Sequence, residues 1–104
     1  MPNRLVLSAM EENLIERQYK IFGRVQMVMF RDFATRKANK FGIGGFVRNE
    51  KDGSVLVLAQ GAKDKLSLYE EYLKKGSLFA RVDNLEKKEI PITKRFNSFE
   101  IIYE

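Results

Sequence analysis

The sequence predicts an α+β domain in which one antiparallel sheet carries two helices on one face. Three observations lead there. Several short runs are extended and apolar, two longer segments carry apolar residues at helical spacing, and the order is strand, helix, strand, strand, helix, strand, with a further strand at the end. At 104 residues the chain has the size of one domain. A chain of that length buries roughly 65% of the surface it exposes when unfolded, enough for a core without covalent staples.

Taken in order, Met1 to Glu16 reads as an N-terminal extension ahead of a domain spanning 17–104. Ser8-Ala9-Met10-Glu11 has capping-box form and would open a short helix, although a flexible tail fits as well. Arg17 to Phe22 is the first strand, centred on Tyr19-Lys20-Ile21-Phe22. Phe30, Phe33, Ala34, Lys37, Ala38 and Phe41 recur at helical spacing, and Gly42 is placed to end that helix in a left-handed cap. Phe46 to Asn49 and Val55 to Ala59 flank Lys51-Asp52-Gly53-Ser54, where Asp-Gly signals a hairpin. A second helix runs from Lys63 to Lys75, with Leu66, Tyr69, Leu73 and Tyr72 as its apolar stripe and Gly76 as its cap. Arg81 to Ile90 and Ser98 to Tyr103 complete the set. This order is that of a ferredoxin-like, split βαβ sandwich, a fold that hosts many functions and specifies none.

Composition narrows the chemistry. The chain has neither Cys nor His, which excludes disulfides, thiolate nucleophiles, common zinc sites and Ser-His or Cys-His machinery. The acidic residues show no EF-hand spacing, so no metal is expected. The net charge of +5 favours anionic partners in general. Arg4 precedes only a short apolar stretch before Glu11 and Glu12, unlike an export signal, and no run approaches the ~20 apolar residues of a membrane span. The expectation is a cytoplasmic, monomeric protein without a membrane or nucleic-acid partner.

The segment Gly23 to Arg31 is the most informative. It joins the first strand to the first helix, and backbone N–H groups that open a helix, with an arginine in its first turn, can hold an anion. Arg31 could bind a phosphate through two parallel hydrogen bonds, worth about 1.5–3 kcal/mol each, or could be an ordinary surface arginine. Asn49 ends a strand before a tight turn. Position alone favours a turn role, while a functional role would be to orient water or a substrate oxygen. Gly42-Ile43-Gly44-Gly45 lacks the dinucleotide fingerprint, and Gly23 to Arg31 is not a Walker A loop. The Phe46-Val47 pair has a faint likeness to the aromatic strand of RNA-recognition folds, but the full pattern is missing and Phe46 reads as core. The alternative function is therefore a non-catalytic anion- or RNA-binding module on the same fold.

Ile21-Phe22-Gly23-Arg24-Val25-Gln26-Met27-Val28-Met29-Phe30-Arg31 resembles the first signature of the acylphosphatases, and Gly45-Phe46-Val47-Arg48-Asn49 with Gly53, Val55 and Gly61 resembles the second. Phe99-Glu100-Ile101-Ile102-Tyr103 is similar to the family's closing segment. The resemblance implies hydrolysis of carboxyl-phosphate mixed anhydrides to carboxylate and inorganic phosphate, without metal or organic cofactor. It implies that the Gly23, Arg24, Val25, Gln26, Met27 and Val28 loop cradles the phosphate, that Arg31 binds it, and that Asn49 positions the attacking water. Met27 stands where the family usually carries Gly. A left-handed backbone there would cost Met about 1–2 kcal/mol, whereas an outward side chain would leave the loop amides free to converge.

Overall fold

Alternation along the strands and spacing along the helices determine how the layers meet. The computed structural model describes residues 14–103, and its elements are β1 (Leu14–Arg24), α1 (Phe30–Lys40), β2 (Gly44–Asn49), β3 (Val55–Ala62), α2 (Lys63–Lys75), β4 (Arg81–Ile90) and β5 (Phe99–Ile102). The strand β1 already begins at Leu14, so Leu14 to Glu16 belong to the sheet; the earlier part of the expected extension, with its capping box, lies outside the described residues. The sheet order is β4-β1-β3-β2-β5. Strand β3 lies between β1 and β2, and β1 lies between β3 and β4, so the two βαβ units interleave as the split arrangement requires.

Pairing is antiparallel through β4, β1, β3 and β2, but β5 joins β2 in parallel, making the sheet mixed. A parallel neighbour needs a connection across the sheet. Gln60 anchors part of that connection: its amide donates to the carbonyl of Lys94 at 2.8 Å and accepts from the Phe96 N–H at 3.0 Å.

Tyr19 and Ile21 of β1, Val47 of β2, Val55, Val57 and Ala59 of β3, and Phe99 of β5 pack against the helices. Their partners are Phe30, Ala34 and Ala38 on α1 and Leu66, Tyr69 and Leu73 on α2, spaced three or four residues apart. Each fully buried leucine contributes about 1.5–3 kcal/mol relative to exposure. The Tyr69 hydroxyl donates to the carbonyl of Ala34 at 2.9 Å, joining the two helices inside the core. Tyr72 is only half-buried and packs its ring 5.6 Å from that of Phe41.

One expectation is corrected. Phe46 is not in the helix-side core, because Val47 takes that face and its strand neighbours must point the other way. Phe46 is half-buried on the outer face, edge-on to Phe96 at 6.3 Å. Among the described residues no helix is long and apolar enough to cross a membrane.

Candidate active site

The end of β1 is shaped by a close backbone approach. The pairing of β1 with β4 shifts register between Phe22 and Gly23, and Gly23 has φ +133°. A Cβ on Gly23 would lie 2.0 Å from the carbonyl oxygen of Arg81, so any side chain would push β4 away. The loop then alternates inside and outside. Val25 is buried and Val28 packs partly against the core, whereas Met27 is 98% exposed and Met29 73% exposed.

The loop backbone alternates as well. Met27 and Met29 both have φ +61°, while Gln26 and Val28 keep negative φ. Successive residues of opposite φ sign turn their N–H groups toward a common concavity, the arrangement that binds anions. Met29 is also the N-cap of α1, and no side chain caps that end. The first-turn N–H groups of a helix have no partner within the helix, so here they remain donors for something else. Met27 therefore takes a left-handed backbone, a conformation that glycine adopts without cost, and points its side chain away from the protein.

Two side chains complete the cleft. Arg31, in the first turn of α1, lays its guanidinium over the Tyr103 ring at 4.9 Å from the centroid, and no carboxylate among the described residues pairs with it. Asn49, at the end of β2, has a buried Oδ1 that accepts no hydrogen bond. A buried acceptor without a partner costs about 1–3 kcal/mol, which marks the position as one kept for something other than stability. Both residues line a cleft of about 370 Å³ together with Val25, Met27, Met29, Phe30, Asp32, Ile101 and Tyr103. The carboxylate of Asp32 is engaged by Arg36 at 3.0 Å.

The turn role that position favours for Asn49 is filled by Asp52. Its Oδ1 accepts from the Ser54 N–H at 2.9 Å and from the Ser54 hydroxyl, and Lys20 lies 3.0 Å from the same carboxylate. The Ser54 hydroxyl and amide, followed by Lys20, hold the Asp52 carboxyl well below the usual carboxylate range. The side chain of Asn49 therefore does not hold the turn.

The other loop residues singled out from sequence have different surroundings. Gly23 packs on β4, Arg24 is exposed at the strand end, and Val28 leans toward the core. Gln26 turns away from the cleft and donates to the carbonyls of Glu50 and Ser54, both at 2.8 Å. Sequence reasoning did not single out Met29, Ile101 or Tyr103 as site residues. Tyr103 closes the terminal motif, and that placement was the one available signal for it.

A sequence profile of the acylphosphatase family matches residues 17–101. An acylphosphatase of Actinobacillus succinogenes is 41% identical over 88 residues, covering 85% of this chain and 98% of its relative. One of Koribacter versatilis is 44% identical over 95 residues, covering 90% of this chain and 86% of the relative. The crystal structure of acylphosphatase from Bacillus subtilis superposes with a TM-score of 0.83 at 34% identity, over 86% of this chain and 99% of that one. The chain belongs to the acylphosphatase family, enzymes that hydrolyse acyl phosphates.

Proposed function

We propose that the cleft between the Gly23–Val28 loop, Arg31 and Asn49 is where carboxyl-phosphate mixed anhydrides are hydrolysed to carboxylate and inorganic phosphate. The observation that carries this reading is that one cleft holds Asn49, whose buried Oδ1 has no donor, and Arg31, which pairs with no carboxylate among the described residues. Arg31 and the N–H groups of the loop and first helical turn would hold the phosphoryl oxygens and offset their charge. The side-chain amide of Asn49 would hydrogen-bond the water and so fix its approach to phosphorus.

The balance of the step suits this residue set. Water attacks phosphorus as the bond from phosphorus to the acyl oxygen breaks, and the carboxylate leaves with that electron pair. A carboxylate is a good leaving group, so no acid is required behind it. The amide of Asn49 cannot take the water's proton at neutral pH, and a phosphoryl oxygen of the substrate accepts it. Catalysis then reduces to positioning and charge stabilisation, which a chain without His or Cys can supply.

The alternative of a non-catalytic anion- or RNA-binding module has less support. On the outer sheet face, Lys20 is paired with Asp52 at 3.0 Å and Arg48 with Glu50 at 3.6 Å, which leaves those cations less available to a phosphate backbone. Hydrolysis of benzoyl phosphate, followed by absorbance, separates the two readings. Arg31→Ala and Asn49→Ala should each lower kcat/KM by about 10²–10³-fold or more while circular dichroism shows a folded protein. Folded wild-type protein that gives no turnover at micromolar concentration would overturn the proposal.

A further inference from the structure

Resting on the acyl-phosphate reading above, we infer that the side chains of Met27, Met29 and Tyr103 form a seat for the acyl group, and that the enzyme favours bulky apolar acyl phosphates, aromatic or medium-chain, over acetyl phosphate. The three residues line the same cleft as Arg31 and Asn49, yet they are 98%, 73% and 73% exposed. Exposed methionine side chains add almost nothing to the core. Here two of them stand on a loop that holds both in left-handed backbone, a conformation disfavoured for any residue with a Cβ. Strain and apolar exposure kept together beside a site point to a ligand that covers the side chains.

The cleft measures about 370 Å³, and a phosphate with a methyl group would fill only part of it. The remaining wall is apolar: Val25, Phe30 and Ile101 continue the surface that the methionines and Tyr103 begin. The charged residues on the lining are Arg31, committed to the phosphate in this reading, and Asp32, engaged by Arg36. An acyl group bearing a second negative charge would meet no additional cation there. Unbranched methionine side chains adapt to apolar groups of different shape, so the seat selects for bulk and apolarity rather than for one outline.

The test compares kcat/KM for acetyl, hexanoyl, benzoyl and succinyl phosphate in the wild type and in the double variant Met27→Gln, Met29→Gln, which keeps side-chain length and loop amides. In the wild type, hexanoyl and benzoyl phosphate should exceed acetyl phosphate by about tenfold, the low end of discrimination in a hydrophobic pocket because this one is open. Succinyl phosphate should be no better than acetyl. In the double variant the apolar-to-acetyl ratio should fall to about two- to threefold. Equal efficiency across the series in the wild type, or a ratio unchanged in the variant, overturns the acyl seat while leaving acyl-phosphate hydrolysis intact. Absence of turnover with every substrate overturns the underlying reading instead. If the double variant does not fold, the single variants Met27→Gln and Met29→Gln carry the same comparison, and a ratio unchanged in both overturns the seat.

Discussion

The side-chain amide of Gln26 lies 2.8 Å from the carbonyl oxygen of Glu50, the residue that follows Asn49. The same amide nitrogen reaches the carbonyl of Ser54, also at 2.8 Å, across the hairpin turn. One side chain therefore ties the loop proposed to hold the phosphate to the turn that follows Asn49, the residue proposed to orient the water. Under the proposed reading, Gln26 is a positioning residue. Gln26→Leu removes one of two donors from each carbonyl, since the Gly53 N–H still reaches Glu50 at 3.2 Å and the Glu50 N–H still reaches Ser54 at 2.9 Å, and should lower stability by about 0.5–1.5 kcal/mol. A displacement of about 1 Å can cost up to 10²-fold in rate, so kcat should fall about 10–100-fold. Inhibition by inorganic phosphate should change little, because the loop and Arg31 remain. A merely structural role would lower stability without this separation between kcat and phosphate binding.

Arg31 and Tyr103 meet as a cation over a ring at 4.9 Å. Such a contact at an exposed site contributes about 0.5–1 kcal/mol, and here it restrains the guanidinium that would receive the phosphate. Tyr103→Leu keeps an apolar surface and removes the ring. The inhibition constant for inorganic phosphate should then rise about two- to fivefold, the equivalent of that energy. An unchanged constant would show that Arg31 does not need the ring.

Much of this arrangement could be read from local patterns. Tyr19 with Ile21, and Val55 with Val57 and Ala59, alternate as strands with one buried face should, while Leu66, Tyr69 and Leu73 mark the inner stripe of α2. What escaped were relations set by distant residues. Alternation says that Phe46 and Val47 face opposite ways, but only the packed helices decide which side is the core. The parallel pairing of β5 with β2 depends on strands far apart in sequence. The Gln26 links span 24 and 28 residues, so no local spacing announces them. For Asn49 the local rule was sound but belonged to a neighbour, since Asp52 stands two residues before the amide it holds.

Acid should loosen the fold through Glu70. This side chain is buried on α2, with Lys87 at 3.2 Å, Lys74 at 3.4 Å and Arg17 at 3.9 Å. Burial pushes its carboxyl up, but Lys87 and Lys74 outweigh burial and hold it below its ordinary value of 4.5. A carboxyl depressed in the folded state stabilises the protein above the unfolded pKa, and that contribution disappears as pH falls through the folded value. The melting temperature should therefore drop as pH is lowered from about 5 to 3. Glu70→Gln should melt lower than wild type at pH 7 and approach it at pH 3. A constant gap between the two curves would remove Glu70 from the acid response.

Met27 offers a test of backbone strain that is separate from its side chain's proposed role. Its φ of +61° costs a residue with a Cβ about 1–2 kcal/mol, which glycine avoids. Glycine has its own cost, because its unfolded chain is freer by about 0.4–1 kcal/mol. The exposed methionine side chain loses no packing on removal. The terms leave Met27→Gly more stable by about 0.5–1 kcal/mol, or a few degrees in melting temperature for a domain of this size. The same variant should show a weaker preference for apolar acyl groups, since the loop keeps its turn but loses part of the seat. Met27→Ala separates the two effects: it removes most of the apolar side chain without relieving the left-handed backbone. It should therefore lose acyl preference without gaining stability. If Met27→Gly melts below the wild type, the left-handed turn is not where this loop stores strain.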